Sequence, residues 1–135
     1  MVAAKTARSA ALVGPYLSGK TTLLESILFA TGRVPRKGST KDKNTVGDAS
    51  AEARARGMST ELNVASTEFL GDSWTFVDCP GSIEFQQDAR NAMMVADTVI
   101  IVAEPNPDRA VALSPLFKFL DDHNIPHMLF VNKID

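Results

Sequence analysis

Eight consecutive residues, Gly14-Pro15-Tyr16-Leu17-Ser18-Gly19-Lys20-Thr21, have the form G-x-x-x-x-G-K-T, and the apolar run Ala10-Ala11-Leu12-Val13 leads straight into them. A buried strand feeding a glycine-bounded turn constrains the possible folds more than any other feature of the chain. The two glycines let the backbone bend tightly, so that successive N–H groups and the start of the next helix converge on one anion. Lys20 adds a positive charge able to reach the outer phosphates of a nucleoside triphosphate, and the Thr21 hydroxyl is placed for the Mg²⁺ that bridges them. At ordinary amino-acid frequencies such a string arises by chance in only about one chain of this length in a few hundred.

Downstream of the turn, Leu23, Leu24, Ile27, Leu28 and Phe29 recur at helical spacing, and Gly32 is a natural stop. This predicts a helix over 22–30 packed on a sheet. Positions 33–56 are rich in Lys, Arg, Ser, Thr, Asp and Gly with almost no large apolar residue, which predicts a long loop of the kind that usually carries a function. Strand-like runs follow at 62–70 and 74–77, separated by a turn at Gly71-Asp72-Ser73. Then come a predicted helix over 83–96, an apolar strand over 98–103, a helix over 108–122 and a last buried strand over 127–131. Apolar strands alternating with helices predict an α/β fold, a mainly parallel sheet covered on both faces with ligands at the carboxyl ends of its strands.

Two further motifs stand at those strand ends. Asp78-Cys79-Pro80-Gly81 is D-x-x-G. Alone it is an ordinary turn; beneath a phosphate cradle it assigns Asp78 to Mg²⁺ through water and the Gly81 N–H to sensing the γ-phosphate. Asn132-Lys133-Ile134-Asp135 is N-K-x-D. A carboxylate there accepts hydrogen bonds from N1–H and the exocyclic amine of guanine. Adenine lacks those donors, and a buried group left unpaired costs roughly 1–3 kcal/mol. In the long loop, Arg56-Gly57-Met58-Ser59-Thr60 precedes a strand, and one of its hydroxyls is placed to complete a Mg²⁺ shell when γ-phosphate is present; spacing does not choose between Ser59 and Thr60. The cationic run Arg33, Arg36, Lys37, Lys41 and Lys43 suits a solvated loop or phosphate contacts such as those of RNA. His123 and His127 flank the last helix-to-strand connection and are assigned to structure, as is Cys79 as a small residue.

With 135 residues and a formal net charge of −2, the chain makes one core and offers no global electrostatic pull toward DNA or a membrane. Its single cysteine excludes an intrachain disulfide and a multi-cysteine zinc site. Positions 1–8 lack the apolar core of a secretory signal. These features lead us to expect a cytoplasmic protein.

In order and spacing these motifs resemble the GTP-binding domain of translational GTPases, most closely elongation factor G and its ribosomal-protection and release-factor relatives. Beyond the motifs, Gly19-Lys20-Thr21-Thr22 followed by Glu25, Ile27-Leu28-Phe29 and Thr31-Gly32-Arg33 is similar to the elongation factor G helix almost residue by residue. Asp48 sits eight positions before Arg56-Gly57, a register that in the family carries the Mg²⁺ hydroxyl at Ser59. The resemblance implies a P-loop NTPase fold that binds GTP or GDP with Mg²⁺ and hydrolyses GTP on the ribosome as part of a five-domain factor. The implied nucleotide-binding residues are Gly14, Pro15, Tyr16, Leu17, Ser18, Gly19, Lys20, Thr21, Thr22, Asp78, Gly81, Asn132, Lys133 and Asp135, with Thr21, Ser59 and Asp78 at the metal and Lys20 and Ser82 at the catalytic positions.

Two departures bear on catalysis. Ser82 stands where the family carries the histidine that orients the attacking water, and Leu17 stands where elongation factor G has an aspartate. Loss of a water-orienting group costs about two to four decades in rate, whereas phosphate binding through Lys20, Thr21 and main-chain amides is untouched. The expectation is therefore GTP binding with slow or unconventional hydrolysis. A nucleotide-gated switch without hydrolysis and an ATP-using P-loop enzyme are the rival readings. The family fold continues beyond N-K-x-D with a helix, an S-A-bearing strand and a final helix, so 1–135 reads as a partial GTP-binding domain of a longer factor. Its uncovered apolar surface is expected to favour self-association.

Overall fold

A computed structural model describes residues 7–15, 17–32, 62–79 and 86–134. In order they form β1 (Ala7–Val13), α1 (Lys20–Ala30), β2 (Asn63–Phe69), β3 (Asp72–Asp78), α2 (Gln86–Val95), β4 (Thr98–Ala103), α3 (Pro107–Val111), α4 (Ser114–Asp122) and β5 (His127–Val131). The five strands make one sheet in the order β2-β3-β1-β4-β5. β1 pairs in parallel with β3 and β4, and β4 with β5; only β2 runs antiparallel, to β3. The expected mainly parallel α/β architecture is what the chain adopts.

Alternation along β1 sorts its side chains between two cores. Ala10 and Leu12 face α1, where Leu24, Leu28 and Phe76 are buried with them. Ala11 and Val13 face the other helices and pack with Val99, Ile101, Ala92, Met93, Leu113 and Leu120. A continuous apolar run thus becomes a central strand buried on both faces. Because β1, β3, β4 and β5 run the same way, residues 14, 79, 104 and 132 all emerge at one edge of the sheet.

Two local expectations are corrected. Helical spacing over 108–122 predicts one helix, but the chain makes two, α3 and α4, with a break at Ala112-Leu113. Pro115 has no N–H for the Val111 carbonyl, and its ring would strike that turn. The helix stops and restarts with Pro115 in the first turn of α4, where proline is tolerated. The hairpin turn lies one residue earlier than its glycine suggests. Phe69 pairs with Asp72, leaving Leu70 and Gly71 as a two-residue loop with φ of 51° and 86°. A right-handed strand twist favours such a turn with two left-handed residues, and Leu70 accepts that conformation despite its side chain. The helix expected over 83–96 is seen as α2; residues 83–85 lie outside the described residues.

Candidate nucleotide-binding site

The cradle joins β1 to α1 at the carboxyl edge. Gly14 has φ 151°, and a Cβ there would run into the Val102 carbonyl oxygen, so glycine is what lets the turn lie against the end of β4. Gly19, φ 98°, is the N-cap of α1; a Cβ on it would collide with the Asn132 side-chain amide. Having no side chain, Gly19 leaves the start of α1 without a side-chain cap, and a helix N-terminus is the end at which main-chain N–H groups favour an anion.

Lys20 is 7% exposed and turns its ammonium back toward the carbonyls of Gly14 and Pro15, at 3.4 and 3.5 Å. Burial lowers its pKa below the ordinary lysine range, against an upward pull from Asp78 and Cys79. An ammonium held at such a cost by two long contacts is placed to receive an anion, since a phosphate would offset the desolvation.

Asp78, the last residue of β3, is fully buried. Its Oδ2 accepts a hydrogen bond of 2.8 Å from the Thr21 hydroxyl across 57 positions of sequence. These two hard oxygen groups beside the cradle fit a Mg²⁺ that takes one or two protein oxygens and shares the rest of its shell with phosphate and water. Among the described residues no three His, Cys, Asp or Glu side chains gather as a metal cage.

After β5, Asn132 is held by its main-chain N–H on the Ala103 carbonyl, at 2.7 Å. Its side-chain amide donates to the Ser18 carbonyl at 3.1 Å. The Lys133 ammonium donates to the Leu17 carbonyl at 2.6 Å. The N-K-x-D segment is thereby fastened to the cradle across more than 110 residues of sequence. Leu17 and Lys133 both have left-handed backbones, φ 61° and 57°. Such conformations persist where surrounding contacts over-determine them.

Of the residues expected at the site, the structure gathers Gly14, Pro15, Leu17, Ser18, Gly19, Lys20, Thr21, Thr22, Asp78, Asn132 and Lys133 along this one edge. Tyr16, Ser59, Gly81, Ser82 and Asp135 lie outside the described residues. His123 and His127 stand at the other edge, where each ring Nδ1 meets a main-chain carbonyl, of Phe119 and Ile125 respectively. Sequence reasoning passed over Glu104 and Arg109. Glu104 directly follows β4, and its Oε1 accepts from Lys133 at 2.8 Å and Arg109 at 3.0 Å. The available signal was its position, a charged residue at the carboxyl end of an apolar strand.

Comparison with known proteins agrees with this arrangement. The family model of the elongation factor Tu GTP-binding domain matches residues 5–135. The chain is 55% identical over 128 residues to an elongation factor G-like protein of Synechocystis, covering 95% of this chain and 19% of that protein. It is 28% identical over 130 residues to elongation factor G 2 of Streptomyces coelicolor, covering 96% and 19%. A crystal structure of a Thermus thermophilus protein superposes with a TM-score of 0.83 at 30% identity, over 95% of this chain and 19% of that one. The chain thus spans about a fifth of the length of these relatives. Among the described residues no helix is long and apolar enough to cross a membrane.

Proposed function

Because the chain belongs to the family of elongation factor Tu GTP-binding domains, we propose that it is the guanine-nucleotide module of an elongation factor G-like translation factor, binding GTP and GDP with Mg²⁺ and hydrolysing GTP on the ribosome. The observation that carries this reading is the bonding of Asn132 and Lys133 to the cradle carbonyls of Ser18 and Leu17. It joins a segment suited to guanine with one suited to phosphate. Asp135 is the base-reading carboxylate in this proposal, Ser59 the second hydroxyl at the metal, and Gly81 the γ-phosphate sensor. The longer relatives support assigning 1–135 to part of a GTP-binding domain within a larger factor.

In hydrolysis, water attacks the γ-phosphorus and the bond to the β–γ bridging oxygen breaks. Lys20 and the α1 N-terminal amides stabilise charge that develops on phosphate oxygens during that transfer. Thr21 and Asp78 would hold a Mg²⁺, which would supply positive charge beside the phosphates. Leu17 and Ser82 support slow turnover, and they also favour a second reading, a nucleotide-gated switch that binds without hydrolysis. An apolar groove of about 430 Å³ beside α1, lined in part by Ile27, Trp74, Phe76, Ile100 and Met128, supports self-association of the chain alone.

Two measurements test the proposal. Guanine nucleotides should bind at least about tenfold more tightly than adenine nucleotides, as a base-reading carboxylate left without its hydrogen-bond donors by adenine would require. Equal affinities contradict the guanine assignment. Phosphate release in the presence of ribosomes should exceed background; its absence in a protein that binds GTP selects the switch.

A further inference from the structure

Glu104 occupies an unusual junction. It leaves β4 at the carboxyl edge with 17% of its side chain exposed, and one oxygen, Oε1, takes both the Lys133 ammonium and the Arg109 guanidinium. Two cations on one oxygen leave the carboxylate little freedom to swing. Arg109 belongs to α3, whose start is fixed by the Asn106 side chain accepting from the Asp108 N–H at 3.0 Å. Lys133 carries the connection onward to the Leu17 carbonyl. A continuous polar path therefore runs from α3 through Glu104 and Lys133 into the phosphate cradle.

The last two residues of that path, at its cradle end, are strained. Leu17 and Lys133 hold left-handed backbones without being glycine. The Lys133 side chain is half exposed, so without Glu104 its ammonium would gain as much from water as from the Leu17 carbonyl. The hydrogen bond from Lys133, and after it that from Arg109, lower the Glu104 pKa from the ordinary carboxylate value against an upward push from burial, the direction expected of a carboxylate held between two cations.

We propose that Glu104 is a positioning residue for the guanine nucleotide: by fixing the Lys133 ammonium on the Leu17 carbonyl it keeps the base-reading segment and the phosphate cradle in register. The inference rests on the reading of this edge as a guanine-nucleotide site. Glu104 touches neither base nor phosphate in this role. It acts through Lys133, and its effect is on how long the nucleotide stays.

The test is the dissociation rate of a fluorescent GDP analogue from the protein in its full natural length. E104Q, equal in volume but uncharged, is expected to release GDP about tenfold faster, the effect of losing one charge-assisted hydrogen bond. E104D, shorter but charged, should release it more slowly than E104Q. A side chain that merely filled space would give the reverse order. In a Lys133→Met background E104Q should add less than about twofold, because the partner through which it acts is gone. An E104Q rate within about twofold of the wild type, E104D faster than E104Q, or full additivity on Lys133→Met overturns the proposal. Should E104Q not fold, Lys133→Met alone must speed release about tenfold, and an unchanged rate is equally fatal. A wild-type protein that binds no guanine nucleotide overturns the underlying reading as well. Wild-type binding with an unaltered variant overturns only the role of Glu104.

Discussion

The two edges of the sheet handle unfavourable local features in opposite ways. At the amino edge they are isolated: Leu70 takes a left-handed backbone at a hairpin tip with 87% of its surface in water. There Asp97 is answered by one nearby partner, accepting from the Ser9 N–H at 2.7 Å. At the carboxyl edge they converge. A desolvated Lys20, a buried Asp78, two left-handed non-glycine residues and two glycines that tolerate no Cβ share one small volume. Strain spread singly around a fold reflects local compromise, whereas strain concentrated where four parallel strands end marks a place shaped for a ligand.

Three substitutions sharpen or break that contrast. The largest effect is expected from Gly19→Ala, which sets a methyl against the Asn132 amide in a backbone that already favours glycine. GDP affinity, measured by calorimetry, should fall about a hundredfold, with a loss of roughly 1–3 kcal/mol in chemical denaturation. Wild-type affinity would mean that the cradle and the Asn132 segment are not braced together. A smaller effect belongs to Thr21→Val, which removes the hydroxyl facing Asp78. The gain in GDP affinity on adding Mg²⁺ should shrink about tenfold while metal-free affinity stays near wild type; an unchanged Mg²⁺ dependence would remove Thr21 from the metal. The smallest effect lies at the amino edge. Leu70→Asn relieves the left-handed turn and should raise stability by about 0.5–1 kcal/mol with no change in GDP affinity. A loss of affinity there would deny that the two edges are independent.

What was legible in the sequence was local. Ala10 to Val13 followed by the glycine-bounded turn fixed the first strand, the cradle and the start of α1, because each signal lies within a few residues of the group it positions. The helix break before Pro115 was legible in principle; an apolar period running through both halves masked it. The hairpin shifted because sheet register, not the glycine alone, decides which two residues turn the chain. The Lys133–Leu17 and Thr21–Asp78 contacts span 116 and 57 positions. No periodicity announces contacts of that separation, and only the parallel topology brings their ends to one edge. Glu104 escaped notice for the same reason: its partners are assembled by the fold, and by sequence it is one carboxylate after a strand.

The central claim is that the buried ammonium of Lys20 exists to hold phosphate. Its most direct test is a calorimetric titration of GDP into the wild type and Lys20→Met, with thermal melting of both proteins in the absence of nucleotide. Removing a desolvated charge should leave melting unchanged or raised. Affinity should fall by at least about a hundredfold. A variant that melts as the wild type does and still binds GDP with undiminished affinity would contradict the account.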